Sequence, residues 1–182
     1  MTALPTNLTA GTWTVDTVHS AFTFIARHAG VSKVRGQFDV IGGAIEVADE
    51  FENSTVTAEA DASSITTGNE QRDGHLQSGD FLLAEENPKV VFQSTGISNF
   101  DGEEFDLEGT LSMRGVTKPV SFKAEFSGAT EDPNGNTVAG FSATAKINRK
   151  DWGMDFDAVL KGGELLVSDK VTLEIDIEAV KA

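Results

Sequence analysis

The segment Ala62–Pro88, ASSITTGNEQRDGHLQSGDFLLAEENP, is the one long piece of this 182-residue chain that does not alternate apolar and polar residues. Asn69 is placed to cap a short helix over Glu70–Leu76, which Gly74 and Gly79 keep from growing. Arg72, Asp73 and His75 fall within one turn of it, and Asp80 with the apolar Phe81-Leu82-Leu83 follows. A connection this long inside a compact β domain is either functional or disordered, and its apolar anchors argue for order.

On both sides of that segment the pattern has period two. Phe22, Phe24 and Ala26 share a face, then Val34, Gly36, Phe38 and Val40, with Gly42-Gly43 marking a bend or bulge before Ala44–Val47. Val56, Ala58, Ala60 and Ala62 lead into the crossing segment, and Val90 and Phe92 leave it. Further faces run through Phe105–Met113, Val120–Phe126, Phe141–Ile147 and Val171–Ala179, with Asp132-Pro133-Asn134-Gly135-Asn136 as a hairpin turn. Trp152–Gly163 breaks the alternation and reads as a loop. About eight long antiparallel strands result, each with one apolar and one largely acidic face. A single sheet of this kind must close on itself or split into two packed layers, and periodicity alone does not separate barrel from sandwich.

Composition narrows the functional classes. The chain has a net charge of −15, 39% hydrophobic residues and no cysteine. Disulfides and thiol chemistry are excluded. The charge argues against nucleic acid as a partner and opposes steady docking on an anionic membrane surface. No apolar run approaches the ~18 residues of a spanning helix, so no stable membrane insertion is expected. The start, MTALPTNLTAGTW, has neither the basic nor the apolar region of a signal peptide, which as it stands reads as cytoplasmic. Length predicts one domain, with residues 1–10 as a flexible lead-in and 11–182 as the body.

Several ordered landmarks then carry a resemblance. They are Trp13-Thr14-Val15-Asp16 with His19-Ser20, Gly36-Gln37-Phe38, the crossing segment itself, Leu107–Val120 (LEGTLSMRGVTKPV) and Ile147–Gly153 (INRKDWG). Together they resemble the YceI-like proteins, a bacterial family of lipocalin-like barrels associated with polyisoprenoid binding, over roughly Gly11–Ala179. The resemblance implies an all-β, eight-stranded antiparallel lipocalin-like barrel with a short helix in the crossing segment. It also implies an isoprenoid lipid or isoprenoid quinone as the bound partner, with no other cofactor, and a homodimer. Many such relatives are exported.

The inner face mixes large and small residues, and two readings stay open: an interlocked, filled core, or an apolar channel. The resemblance favours the channel, with Phe22, Phe24, Phe38, Ala58, Ala60, Phe92, Phe122, Phe141, Ala143 and Ala145 as its lining. Polar candidates for the barrel ends are Asp16, His19, Arg72, Asp73, His75 and Asp80. An isolated Asp and His near a turn more commonly fix the local chain than line a mouth. Histidine spacing gives no metal motif, and no nucleophile or phosphate-binding fingerprint is present. A non-enzymatic lipid carrier is therefore expected. The rivals are a stress-response or assembly module that acts through its surface with a filled barrel, and an enzyme of isoprenoid or quinone metabolism.

Overall fold

The computed structural model describes residues 3–163 and 165–182. Its strands are β1 (Gly11–Val15), β2 (Ala21–His28), β3 (Ser32–Val47), β4 (Thr55–Thr66), β5 (Lys89–Ser98), β6 (Glu104–Met113), β7 (Val116–Glu131), β8 (Thr137–Asn148) and β9 (Lys170–Lys181). The helix α1 (Glu70–Gln77) lies in the crossing between β4 and β5, with Asn69 Oδ1 accepting the Arg72 amide at 3.0 Å. From β2 onward each strand pairs antiparallel with the next, and β9 returns to β2, so eight staves close a ring.

The short β1 belongs to that ring. It pairs with the far end of β3 (Trp13 opposite Ile45) and with the last residues of β9 (Val15 opposite Ala179), while β2 occupies the rest of the same gap. β1 and β2 are thus one stave in two pieces, separated by the bend Asp16–Ser20. The bend expected at Gly42-Gly43 appears as a register shift against β4 between Val40 and Gly42.

One end of the barrel is covered by α1, the segment after it and the loop 153–169. Phe81 and Leu82 are buried there, and Trp152 donates its indole N–H to the Leu111 carbonyl at 2.8 Å. At the other end Trp13 is fully buried and donates to the Thr9 carbonyl, and Leu8 of the lead-in is buried beside it.

Inside, phenylalanine rings lie over glycines of the neighbouring strand. A methyl group added at Gly109 would stand 2.5 Å from both the Phe92 ring and the Gln93 carbonyl oxygen, and one at Gly36 would stand 2.2 Å from the Phe24 ring. The missing side chains are what let these rings lie flat across the staves. Gly109→Ala is therefore expected to cost about 1–3 kcal/mol through overpacking. Gly96→Ala, whose methyl meets nothing within 4 Å, falls within about 0.5 kcal/mol of wild type. Urea unfolding of both variants measures the contrast.

Candidate functional site

The lumen contains two apolar cavities, one in each half. The first, of about 80 Å³, is bordered by Ala58, Phe92, Phe122, Phe141 and Ala143 together with Ile45, Phe51, Ile97, Phe105 and Ile177. Its two serines offer a ligand little: Ser54 Oγ accepts the Ala48 amide, and the Ser142 hydroxyl donates to Asp176 outside. The second, of about 90 Å³, is bordered by Phe22, Phe24, Phe38, Ile65, Val90 and Met113, and is covered by Leu76, Phe81 and Leu82.

Strand registers show what separates them. Along β8, Ala143 borders the first cavity, Ala145 neither, and Ile147 the second; along β4 the sequence is Ala58, Ala60, Ile65. Val40, Leu111 and Val120 are likewise buried without bordering either cavity. These five side chains form a packed waist. The expected lining residues Ala60 and Ala145 thus lie in the waist, while the other eight border a cavity. Phe51, in a short turn outside the strands, was not singled out in the sequence because nothing local shows that it folds inward, whereas Phe105 stands on an apolar strand face that the alternation marks.

Above the second cavity lies an open cleft of about 630 Å³, which shares Phe24, Ala26, Leu76, Phe81 and Val167 with it. Its polar wall is Arg27, His28, Asn69, Gln71, Arg72 and His75. Two of the sequence candidates act here as braces. Asp73 accepts from the Thr67 amide and hydroxyl, and Arg72 donates to the Thr67 hydroxyl at 2.7 Å and carbonyl at 2.9 Å, which ties α1 to the end of β4. His75 Nε2 lies 2.9 Å from Asp80, with the imidazole edge-on to Phe81 and Phe156.

Arg149 is the polar residue that sequence reasoning missed. Only 3% exposed, it borders the second cavity, and it donates to the carbonyls of Met154, Val167 and Ser168 and to Asp157. Its guanidinium lies 5.8 Å from the Phe81 ring centre. A buried guanidinium is tolerated because its donors are matched, and here it clamps the loop 153–169 onto the barrel end.

Asp16 and His19 lie elsewhere, on the outer wall at the bend between β1 and β2, and not at the covered mouth. His19 Nδ1 stands 2.8 Å from Asp16 and 3.2 Å from Glu178 of β9. Asp16 Oδ1 caps the Val18 and His19 amides, the Asp16 amide donates to the Glu178 carbonyl, and the Glu178 amide donates to the Ser20 hydroxyl. The trio of titratable groups is engaged in holding the broken stave to β9. The local reading of Asp16 and His19 is the one the geometry matches, with Glu178, 159 positions after His19, added by the fold.

The hydrogen bond to Asp16, then the charges of Asp16 and Glu178, raise the His19 pKa above its usual 6.5; the His19 hydrogen bond is the main cause holding Asp16 below 3.8. The His19 contribution to stability is fully present below pH 6.5 and is lost as pH rises through the raised value. The Asp16 contribution is present above pH 3.8 and is lost as pH falls through the lowered one. An NMR titration of the His19 ring is expected to show a midpoint above 6.5 that drops in Asp16→Asn. A wild-type midpoint at or below 6.5 means the bond does not form in solution.

Comparison with known proteins agrees with this architecture. A family model described as the YceI-like domain matches residues 13–179. A UPF0312 protein of Staphylococcus aureus (strain MSSA476) is 36% identical over 168 residues, 91% of this chain and 95% of its own. The crystal structure of a Campylobacter jejuni YceI protein superposes with a TM-score of 0.70 at 28% identity, covering 86% of this chain and 90% of that one. A structure described as a polyisoprenoid binding domain from Saccharophagus degradans gives 0.67 at 13% identity, over 93% and 98%, and shows the shared fold alone.

Proposed function

The chain belongs to the YceI-like family, and from that premise we propose that it is a non-enzymatic carrier holding one long isoprenoid chain, free or as the tail of an isoprenoid quinone, along the barrel axis. The observation that carries this reading is the alignment of two apolar cavities below a cleft that is apolar at its base and polar at its wall. A lipid with a polar head and an apolar tail has that distribution. The name of the Saccharophagus degradans domain points to the same ligand class.

Volume sets a condition on the mechanism. An engineered cavity of about 150 Å³ is enough for benzene, so neither cavity takes more than a small piece of chain in the conformation seen. A long tail must thread the waist, and the waist is the layer where Ala60 and Ala145 leave the least side chain to displace. Loading therefore couples tail insertion to rotation of the phenylalanines that flank it, Phe22 and Phe92.

Burying each CH₂ from water is worth about 0.8 kcal/mol, but the donor of such a lipid is a bilayer or another protein, where the chain is already dry. Exchange between two apolar environments is close to balance, which suits storage and transfer. The lumen offers a ligand few groups able to do chemistry: the guanidinium of Arg149 is fully engaged and both serines are bonded elsewhere.

Native mass spectrometry after mild purification is expected to show added apolar mass on the wild type. Ala143→Phe, which fills the first cavity, is expected to lose that mass at near-native stability. Ala145→Phe overpacks the waist and costs about 1–3 kcal/mol in urea unfolding whether or not lipid is present. A wild type without lipid, combined with destabilisation by both variants, would mean a solid barrel and a different function.

A further inference from the structure

The net charge of −15 is not spread evenly along the barrel. At the end away from the cleft, the three connections 48–54, 99–104 and 131–136 carry eight carboxylates and no lysine or arginine. At the cleft end, the crossing segment and the loop after β8 carry carboxylates and basic residues together, but the hairpin joining β2 to β3 has the reverse character. Residues 27–35 (RHAGVSKVR) hold two arginines, one lysine and one histidine, and no carboxylate.

This hairpin is built against its own electrostatics. Arg27 and Lys33 are register partners, and like charges directly opposite each other destabilise a strand pair. Arg27, Lys33 and Arg35 are exposed, and among the described residues none of them forms an ion pair. At the tip, where Ala29 and Gly30 turn the chain with positive φ, Val31 is 82% exposed. The loop beside it is joined to the hairpin by the Ala29 amide on the Leu166 carbonyl and the Ser168 amide on the Arg27 carbonyl, and it presents Val159 at 68% exposure next to Leu160 and Lys161.

We propose that these two tips form a docking face for an anionic lipid bilayer, which sets the cleft against the membrane. Arg27 and His28 line that cleft, so the face that meets the phosphates is continuous with the path into the second cavity. Its purpose rests on the carrier reading, since the bilayer is the source and sink of the lipid; its physics does not. Basic side chains near an anionic surface contribute about 1 kcal/mol each, and valine and leucine tips enter the headgroup boundary. The acidic turns lie a barrel length away, beyond the ~8 Å Debye length of physiological salt. They weaken long-range approach and exclude the reverse orientation. Docking is thus reversible and directional, although the net charge opposes steady adsorption of the whole protein.

The test is sedimentation with vesicles of equal parts phosphatidylglycerol and phosphatidylcholine against vesicles of phosphatidylcholine alone. Wild type is expected to bind the anionic vesicles and not the neutral ones, and to weaken as salt is raised. Arg27→Gln with Lys33→Gln is expected to weaken binding about 30-fold, the ratio for two side chains at ~1 kcal/mol each. Val31→Asp weakens it independently, and removal of the opposed like charges leaves the urea midpoint unchanged or raised. Equal binding to both vesicles, insensitivity to salt in the unsubstituted protein, or unchanged binding by the folded double variant overturns the proposal. Mass spectrometry of the same preparations separates the two readings. A lipid-loaded protein indifferent to anionic vesicles removes the docking face alone, while an empty protein that binds them removes the carrier and leaves the face.

Discussion

Closure of the ring is the constraint on which everything else depends. Eight strands with one apolar face each would leave a wet core and two open edges, and an open edge is a row of unpaired amides and carbonyls. The chain removes both edges by returning β9 to β2, and that return is incomplete without β1. β9 runs the full height of the barrel, whereas β2 pairs only with its residues 172–176 and β1 only with 179–181. Between them, the Asp16 amide and the Ser20 hydroxyl take the backbone groups of Glu178, so the ladder continues through a break in its partner. The Asp–His–Ser cluster, which looks chemical in isolation, is the splice in a broken stave.

Once the ring is closed, the size of the inward side chains decides how much of it is hollow. Large rings over glycines consume volume efficiently, as Phe92 does over Gly109 and Phe24 over Gly36. Small residues do not uniformly create space. Ala58 and Ala143 border a cavity, whereas Ala60 and Ala145, two positions along the same strands, are buried without bordering either. The two open readings of the inner face are both partly realised: hollow in each half, filled at the waist.

The arginines that brace the connecting segments stand at the cleft end. Arg149 binds a loop, Arg72 and Asp73 bind a helix, and the basic hairpin stands next to the cleft they frame. The cleft and the basic hairpin thus share one end, and the acidic turns 48–54, 99–104 and 131–136 occupy the other.

Much of the architecture was legible from residues alone, because strand alternation is local. Val171, Leu173, Ile175, Ile177 and Ala179 mark a half-buried strand in any β fold, and Asn69 caps a helix whatever surrounds it. The turn at Asn134-Gly135 and the bend at Gly42-Gly43 were equally readable, since backbone freedom is a property of single residues. What required the tertiary structure is everything decided by facing partners: barrel over sandwich, Glu178 beside His19, Arg149 buried under a loop, and a waist at Ala60 and Ala145. Period two says which way a side chain points and is silent on what it meets, because its neighbours across the lumen come from strands scores of residues away.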